Sequence, residues 1–432
     1  MERDGHCHPS LFPKIFCVEE IPLFKILNKI CRIYEAFILF LVFLFFGCAT
    51  AIPGKGPVAD TTGITDISQG LPSKGLWREN VALVDLDGDG FLDIVVPAPR
   101  QAAKEENRPR VFLWNPRENI WREGAFAFPS LAYDYGGIAV GDLNRDGYPD
   151  LVIAQHSGRI VVLMNQGGKG FIEGPFPTPE SFHSRALEIS DVNGDGLPDI
   201  IALSEGFPPG RAKEYGILVG INRGGNGWDV SGLKKPGLYG DSITVGNIRG
   251  ESKDIIAGPL TMNKASKTIF WMGDGKGNFS GYDVDFVGDR MPFIVRAGDV
   301  NGDGRDEVVF KLAGVGRGAK IQLAAYKWKS EGFEEMSRGL EAVEEPVVFD
   351  LADIDGDGRK ELIVLSMTKG LAVYKYMENG WVEQRHYAVS SDYIIGASDL
   401  RAGKNNDGSL LVVYNLGSET GRRQGIKAYL LK

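Results

Sequence analysis

Cysteine is missing from almost the whole chain. The four present, Cys7, Cys17, Cys31 and Cys48, all lie at or before residue 48. The remainder therefore has no disulfide, no thiolate-held metal and no cysteine nucleophile. Histidine is nearly as scarce: His156, His183 and His386 are the only ones after residue 48, and none are spaced as a metal-binding pair. No Lys/Arg run with interleaved aromatics appears, so no nucleic-acid partner is expected. There is no Gly-x-Ser-x-Gly with triad partners and no phosphate-cradling glycine loop, so neither serine-hydrolase nor nucleotide chemistry is indicated. The apolar stretch Ala36 to Phe46 is too short to cross a bilayer as a helix.

That stretch follows Lys25, Lys29 and Arg32 and precedes Gly47-Cys48-Ala49-Thr50. A basic flank, a short apolar segment and small residues make an export signal. Gly47-Cys48 resembles a bacterial lipoprotein junction, which implies that Cys48 is acylated and anchors the chain in a membrane by lipid alone. The expected layout is a signal over residues 1–48, a linker over 49–60 and one folded region over 61–432, exported to the cell envelope.

What the chain has in abundance is one acidic motif. Asp85-Leu-Asp87-Gly-Asp89-Gly-Phe91-Leu-Asp93 recurs with Asp142, Asn144, Asp146 and Asp150, and again with Asp191, Asn193, Asp195 and Asp199. Two further copies carry Asp299, Asn301, Asp303 and Glu307, then Asp353, Asp355, Asp357 and Glu361. Oxygen-bearing side chains occupy positions 1, 3, 5 and 9, and position 6 is always Gly. Short oxygen side chains on alternate residues of a tight loop converge on one point, which suits a hard cation. Asp-Gly pairs also mark hairpin turns, but turns do not require four conserved oxygen positions in five copies. The EF-hand is excluded because its position-12 Glu is replaced here by Val96, Ile153, Ala202, Phe310 and Val364. The net charge of −9 belongs to these loops; without their carboxylates it would be positive.

Degenerate copies begin near Gly246 and Asp399, with basic residues where carboxylates would stand, so no cation is expected there. Seven units at a period of about 50 residues indicate a repeat fold. Each unit has four strand-like runs; in the first these are residues 81–84, 93–96, 110–114 and 120–126. The seventh has three, at 394–398, 410–414 and 425–431. Four short antiparallel strands per unit, without helical periodicity, predict an all-β, seven-bladed β-propeller. The segment around residues 61–70 is expected to complete the last blade and close the ring. Trp121, Phe171, Trp228, Phe279, Phe333 and Trp381 open each fourth run and read as packing between neighbouring blades.

The motif and its spacing resemble the FG-GAP/VCBS repeats of integrin α-subunit propellers and their bacterial relatives, over about residues 60–432. The resemblance implies a structural Ca²⁺ in each intact loop, about five in all, held by the position 1, 3, 5 and 9 residues named above. It also implies ligand binding on the face opposite those loops. That face is expected to carry Tyr133, Tyr135, His156, His183, Arg185, Tyr239, Arg290, Phe293 and Tyr393, with Gln155, Arg211 and Arg317. Amphipathic rings beside Arg suit an interface. The leading expectation is a non-enzymatic, calcium-binding surface module for adhesion to protein or glycan. The alternatives are a propeller-type polysaccharide lyase or hydrolase, for which His156 and His183 form the one constellation to test, and a structural subunit of an envelope complex.

Overall fold

The computed structural model describes residues 63–431 except 103–106, 180–181, 207–215, 226, 236, 260–268, 284–289, 315–319 and 418–422. The signal segment with Cys48, the linker, Arg211 and Arg317 lie outside the described residues.

A short strand, β1 (Ile64–Asp66), precedes six complete blades. Blade 1 is β2 (Ala82–Val84), β3 (Asp93–Val96), β4 (Arg110–Asn115) and β5 (Ile120–Glu123). Blade 2 is β6 (Gly136–Gly141), β7 (Asp150–Gln155), β8 (Ile160–Asn165) and β9 (Phe171–Gly174). Blade 3 is β10 (Ser184–Ser190), β11 (Asp199–Ser204), β12 (Ile217–Asn222) and β13 (Trp228–Leu233). Blade 4 is β14 (Gly240–Gly246), β15 (Asp254–Pro259), β16 (Phe270–Gly273) and β17 (Phe279–Tyr282). Blade 5 is β18 (Met291–Gly298), β19 (Glu307–Ala313), β20 (Ile321–Lys329) and β21 (Gly332–Glu335). Blade 6 is β22 (Pro346–Ala352), β23 (Glu361–Ser366), β24 (Gly370–Met377) and β25 (Gly380–Tyr387). The last blade is β26 (Ala397–Lys404), β27 (Leu410–Leu416) and β28 (Gly425–Leu431), with β1 as its outer strand. The protein is a seven-bladed β-propeller of four-stranded antiparallel sheets.

The second strands are buried on both faces, which is why their sequences are nearly unbroken apolar runs such as Ile94-Val95-Val96. Every apolar cluster lies between two blades. Val95 and Val111 pack with Ile153 and Phe171 across blades 1 and 2, and Val309 packs with Leu362 and Trp381 across blades 5 and 6. Each aromatic that opens a fourth strand packs toward the preceding blade. Trp121 meets Val413 and Ile426 of the last blade and lies 4.9 Å from Trp114, while Phe333 lies 5.1 Å from Phe270 of blade 4. Large rings there fill the wedge between sheets.

The ring closes as expected. Ile64, Thr65 and Asp66 pair with Leu431, Leu430 and Tyr429. Gln69 then accepts a hydrogen bond from the Trp121 amide at 2.9 Å, so the same segment joins the last blade to the first. An outer edge that would otherwise be open is thereby covered.

Most strand bounds agree with the sequence expectation to within two residues, and two differ by more. In blade 1 the fourth strand stops at Glu123 rather than reaching residue 126, with one last ladder bond from the Gly124 amide to the Val111 carbonyl. In the last blade the inner strand is residues 397–404 rather than 394–398, and a 3-10 turn occupies Ser391–Tyr393. Asp399 therefore lies within a strand, and the degenerate loop shrinks to Asn405–Ser409.

Candidate functional site

All five acidic loops join the first and second strands of their blades, at one end of the propeller. Position 6 is held at positive φ in each, between 83° and 90°, which only glycine adopts without strain. The side chains brace their own loop. Asp85 accepts the amides of Gly88, Asp89 and Gly90, and Asp87 and Asp89 each accept the amide two residues on. Asp93 is buried and accepts the Leu86 amide and, across the sheet, the Trp114 amide. Asp150 and Asp199 repeat this bracket in blades 2 and 3.

Such packing leaves carboxylates crowded together. Burial pushes Asp93 up to about 7, and Asp87 and Asp89 add to the effect against two backbone donors. Burial likewise raises Asp150 and Asp199 to about 6 and Glu307 to about 7. A divalent cation among these oxygens would relieve the repulsion, and the donor set is all oxygen, as calcium prefers. The residues fit the ion that the resemblance implies.

The loops are not equivalent. Where position 3 is Asn, its amide nitrogen donates to the position-5 carboxylate, as in Asn144 to Asp146 at 3.0 Å, Asn193 to Asp195 at 2.9 Å and Asn301 to Asp303 at 3.1 Å. Where position 3 is Asp, three carboxylates converge. Among the described residues, those triplets are Asp85, Asp87 and Asp93, and Asp353, Asp355 and Asp357. In blade 4 the loop is filled by its own arginine: Arg249 donates to buried Asp254 at 3.0 Å. Blade 2 is strutted to blade 3 by Arg145, which donates to the Asp195 and Gly196 carbonyls at 2.8 and 3.0 Å.

The opposite end has a second, different assembly. The inner strands of blades 3 to 7 each carry a register break near their start, at Arg185, Asp241, Phe293, Val347 and after Ala397. A bulge re-aims the extra residue, and these residues line a cavity of about 360 Å³ at the mouth of the central channel. Its lining joins Arg78, Glu79, Arg100, Arg185 and Asp241 from blades 1, 3 and 4 with Phe293, Ile294, Ile321 and Val347 from blades 5 and 6, where Lys311 is a cation among apolar side chains. Deeper in, Arg296 bridges Asp350 at 3.3 Å and Asp399 at 2.6 Å, tying blades 5, 6 and 7 together.

Among the charged residues, Arg185 pairs with Asp241 at 2.7 Å and with Glu205 at 2.9 Å. Burial works against its charge, but Asp241, Glu79 and Glu205 hold it above its ordinary value. Glu205, almost wholly enclosed, also meets His156 Nδ1 at 2.9 Å. The His156 ring stacks on Tyr135 at 4.7 Å, and the Arg100 guanidinium lies 4.3 Å over Tyr135. Arg100 in turn pairs with Glu79 at 2.7 Å.

The structure thus unites Tyr135, His156 and Arg185 of the residues expected on this face. His183 is adjacent, its carbonyl accepting the Glu205 amide, while its ring meets the Gly158 carbonyl. Tyr239 packs on Gly206. Arg290 bonds Tyr326 in blade 5, and Tyr393 lies under Lys427 in the last blade; neither joins the cluster. Sequence reading missed Arg78, Glu79, Arg100, Glu205 and Asp241. A signal existed: the residue six before each loop's first position is Glu79, Gly136, Arg185, Asp241, Phe293 and Val347. That phase lies at the mouth.

The fold and loops define a propeller of acidic-loop repeats, and comparison with known proteins finds related repeats in part of the chain. A model of the FG-GAP-like repeat matches residues 142–202, and one of the FG-GAP repeat matches residues 78–107. Human integrin alpha-IIb is 30% identical over 151 residues, covering 29% of this chain and 14% of the integrin. Human integrin alpha-6 is 32% identical over 165 residues, covering 34% of this chain and 14% of the integrin. The matched stretches are thus a small part of those relatives. Among solved structures, BBS1N in complex with ARL6DN has a TM-score of 0.51 at 12% identity, covering 87% of this chain and 98% of that one. A polysaccharide lyase PL25, an ulvan lyase bound to a sugar, has a TM-score of 0.51 at 12% identity, covering 85% and 96%. At such identity these two show the fold alone. The chain thus carries FG-GAP-type repeats and is similar over part of its length to integrin α subunits.

Proposed function

We propose that the protein is a non-enzymatic adhesion or binding module at the outside of a cell, braced by calcium and held to the envelope through a lipid on Cys48. The ligands for calcium are the position 1, 3, 5 and 9 residues of the loops. They stiffen one end of the ring, and the ligand, a protein or glycan, meets the other. The mixed lining of the mouth carries this reading. Blades 1, 3 and 4 offer guanidiniums and carboxylates and blades 5 and 6 add apolar side chains, which is what a partner with both polar and apolar surface requires. Among the described residues, no helix is long and apolar enough to cross a membrane.

The test is a screen of the full chain against glycans and extracellular proteins by surface binding, with calcium present. Arg78→Gln together with Arg100→Gln should abolish capture of any ligand found, and a circular dichroism spectrum like that of wild type would show that the propeller still forms. Capture that persists in that variant would remove the mouth from consideration.

A second reading is favoured by one observation, the coupling of His156 to Glu205 beside Tyr135, Arg100 and Arg185. An oriented imidazole next to guanidiniums could remove a proton beside a sugar carboxylate, as eliminative cleavage of an acidic polysaccharide demands. Incubation with uronate-containing polysaccharides, followed by ultraviolet absorbance of unsaturated ends, separates the two. Absorbance that grows with wild type and fails with His156→Ala would make the protein a lyase.

A further inference from the structure

We propose that the sixth-blade loop, although its motif is intact, takes no calcium because Lys375 is its resident cation. The inference rests on reading the acidic loops as calcium sites, and it changes which of them are.

Lys375 lies on β24, the third strand of the blade. Leu362 pairs with Tyr374, so Lys375 stands opposite Glu361, the ninth position of the loop. Its ammonium donates to Asp355 Oδ2 at 2.5 Å and Asp357 Oδ2 at 2.8 Å, and lies 2.9 Å from Glu361 Oε1. Three of the four oxygen positions therefore converge on one nitrogen. The lysine side chain is 11% exposed and its contact with Glu361 is buried, while Asp355 and Asp357 reach it from the open side of the loop. An ammonium has three donors and no acceptor; here two are met by loop carboxylates, and Glu361 adds an ion-pair contact.

The other blades show why this happens only here. The residue in the same register is Leu113 in blade 1, Met164 in blade 2 and Ile221 in blade 3, none of which carries charge. In blade 5 it is Lys327, but that lysine pairs with Glu334 at 3.6 Å instead. There Asn301 donates its amide to both Asp303 and Glu307 and supplies what an ammonium would. Blade 6 has Asp355 at that position, which donates nothing, and so draws the lysine in. Blade 4 uses the same device from within the loop, through Arg249. A calcium ion in blade 6 would have to displace an ammonium that the fold already holds against three loop carboxylates, and a tethered cation needs no binding entropy.

The test counts Ca²⁺ bound to the full chain by equilibrium dialysis and elemental analysis. Lys375→Met should bind one ion more than wild type. In EDTA its melting temperature should fall below that of wild type, and calcium should restore it. Should Lys375→Met fail to fold, Asp355→Ala in the wild-type background gives the complementary reading: its ion count should equal that of wild type. Asp87→Ala in blade 1 is the reference, and should lose one ion. An unchanged count in Lys375→Met, or a loss of one ion in Asp355→Ala, overturns the proposal. A wild-type chain and Asp87→Ala that both bind none would show that the calcium reading of the loops has failed as well.

Discussion

Asp66 and Lys427, 361 residues apart in sequence, form an ion pair of 2.5 Å across the strand junction that closes the ring. Asp66 is half exposed, so the pair itself contributes little, in the range of about 0–1 kcal/mol. The backbone pairing and the burial of Ile67 beside it contribute more. Asp66→Asn should therefore shift the melting temperature only slightly. Ile67→Ala, at a side chain 4% exposed, should cost about 2–4 kcal/mol. Thermal melts of the two variants give the comparison, and equal losses would mean that the ion pair holds the seam as strongly as the packing does.

Calcium should stabilise the chain by mass action. At a free concentration one hundred times the dissociation constant, each occupied site adds about 2.7 kcal/mol. EDTA should lower the melting temperature, and added calcium should raise it in a concentration-dependent way. A melting temperature indifferent to both would reduce the loops to turns.

Arg185 is the ion that keeps Glu205 tolerable inside the protein. Arg185→Ala leaves that carboxylate enclosed with only His156 beside it, and should cost about 3–5 kcal/mol. Glu205→Gln in the same chain should recover part of the loss, because the uncompensated charge is gone. Denaturant unfolding of the single and double variants measures the coupling; strict additivity would contradict the pairing.

Lys311 supplies a pH dependence. Burial depresses its ammonium from 10.5 to about 8, and it donates to the Val347 carbonyl. Its folded value lies below its unfolded value, so the unfolded state binds more protons between about 8 and 10.5. Stability should therefore rise with pH through that window, by up to about 3 kcal/mol from this group. Lys311→Met should raise stability at pH 7 and flatten that rise. A slope in the window identical to that of wild type would assign it to other groups.

The sequence by itself determined the architecture. The positions of Asp85 to Asp93 and their copies set the first hairpin of each blade, because Gly at position 6 and oxygen side chains at 1, 3 and 5 satisfy the turn locally. Runs such as Ile200-Ile201-Ala202 marked the doubly buried strands, and Trp121 and its counterparts marked the wedges between blades. These are short-range consequences of side-chain chemistry and period. Closure by residues 64–66 was also legible, since a three-stranded last unit lacks an outer strand.

Tertiary structure alone decided which charges meet. Arg185, Glu205 and His156 come from different strands and connections, and only the radial arrangement of blades 2 and 3 brings them within 2.9 Å. The bulges that turn Arg185, Asp241 and Phe293 into the mouth are differences of one residue in register, invisible to an alternation of apolar and polar residues. Lys375 is the same case: its motif reads as intact, and the cation that fills it arrives from a strand whose register, not whose composition, places it opposite Glu361.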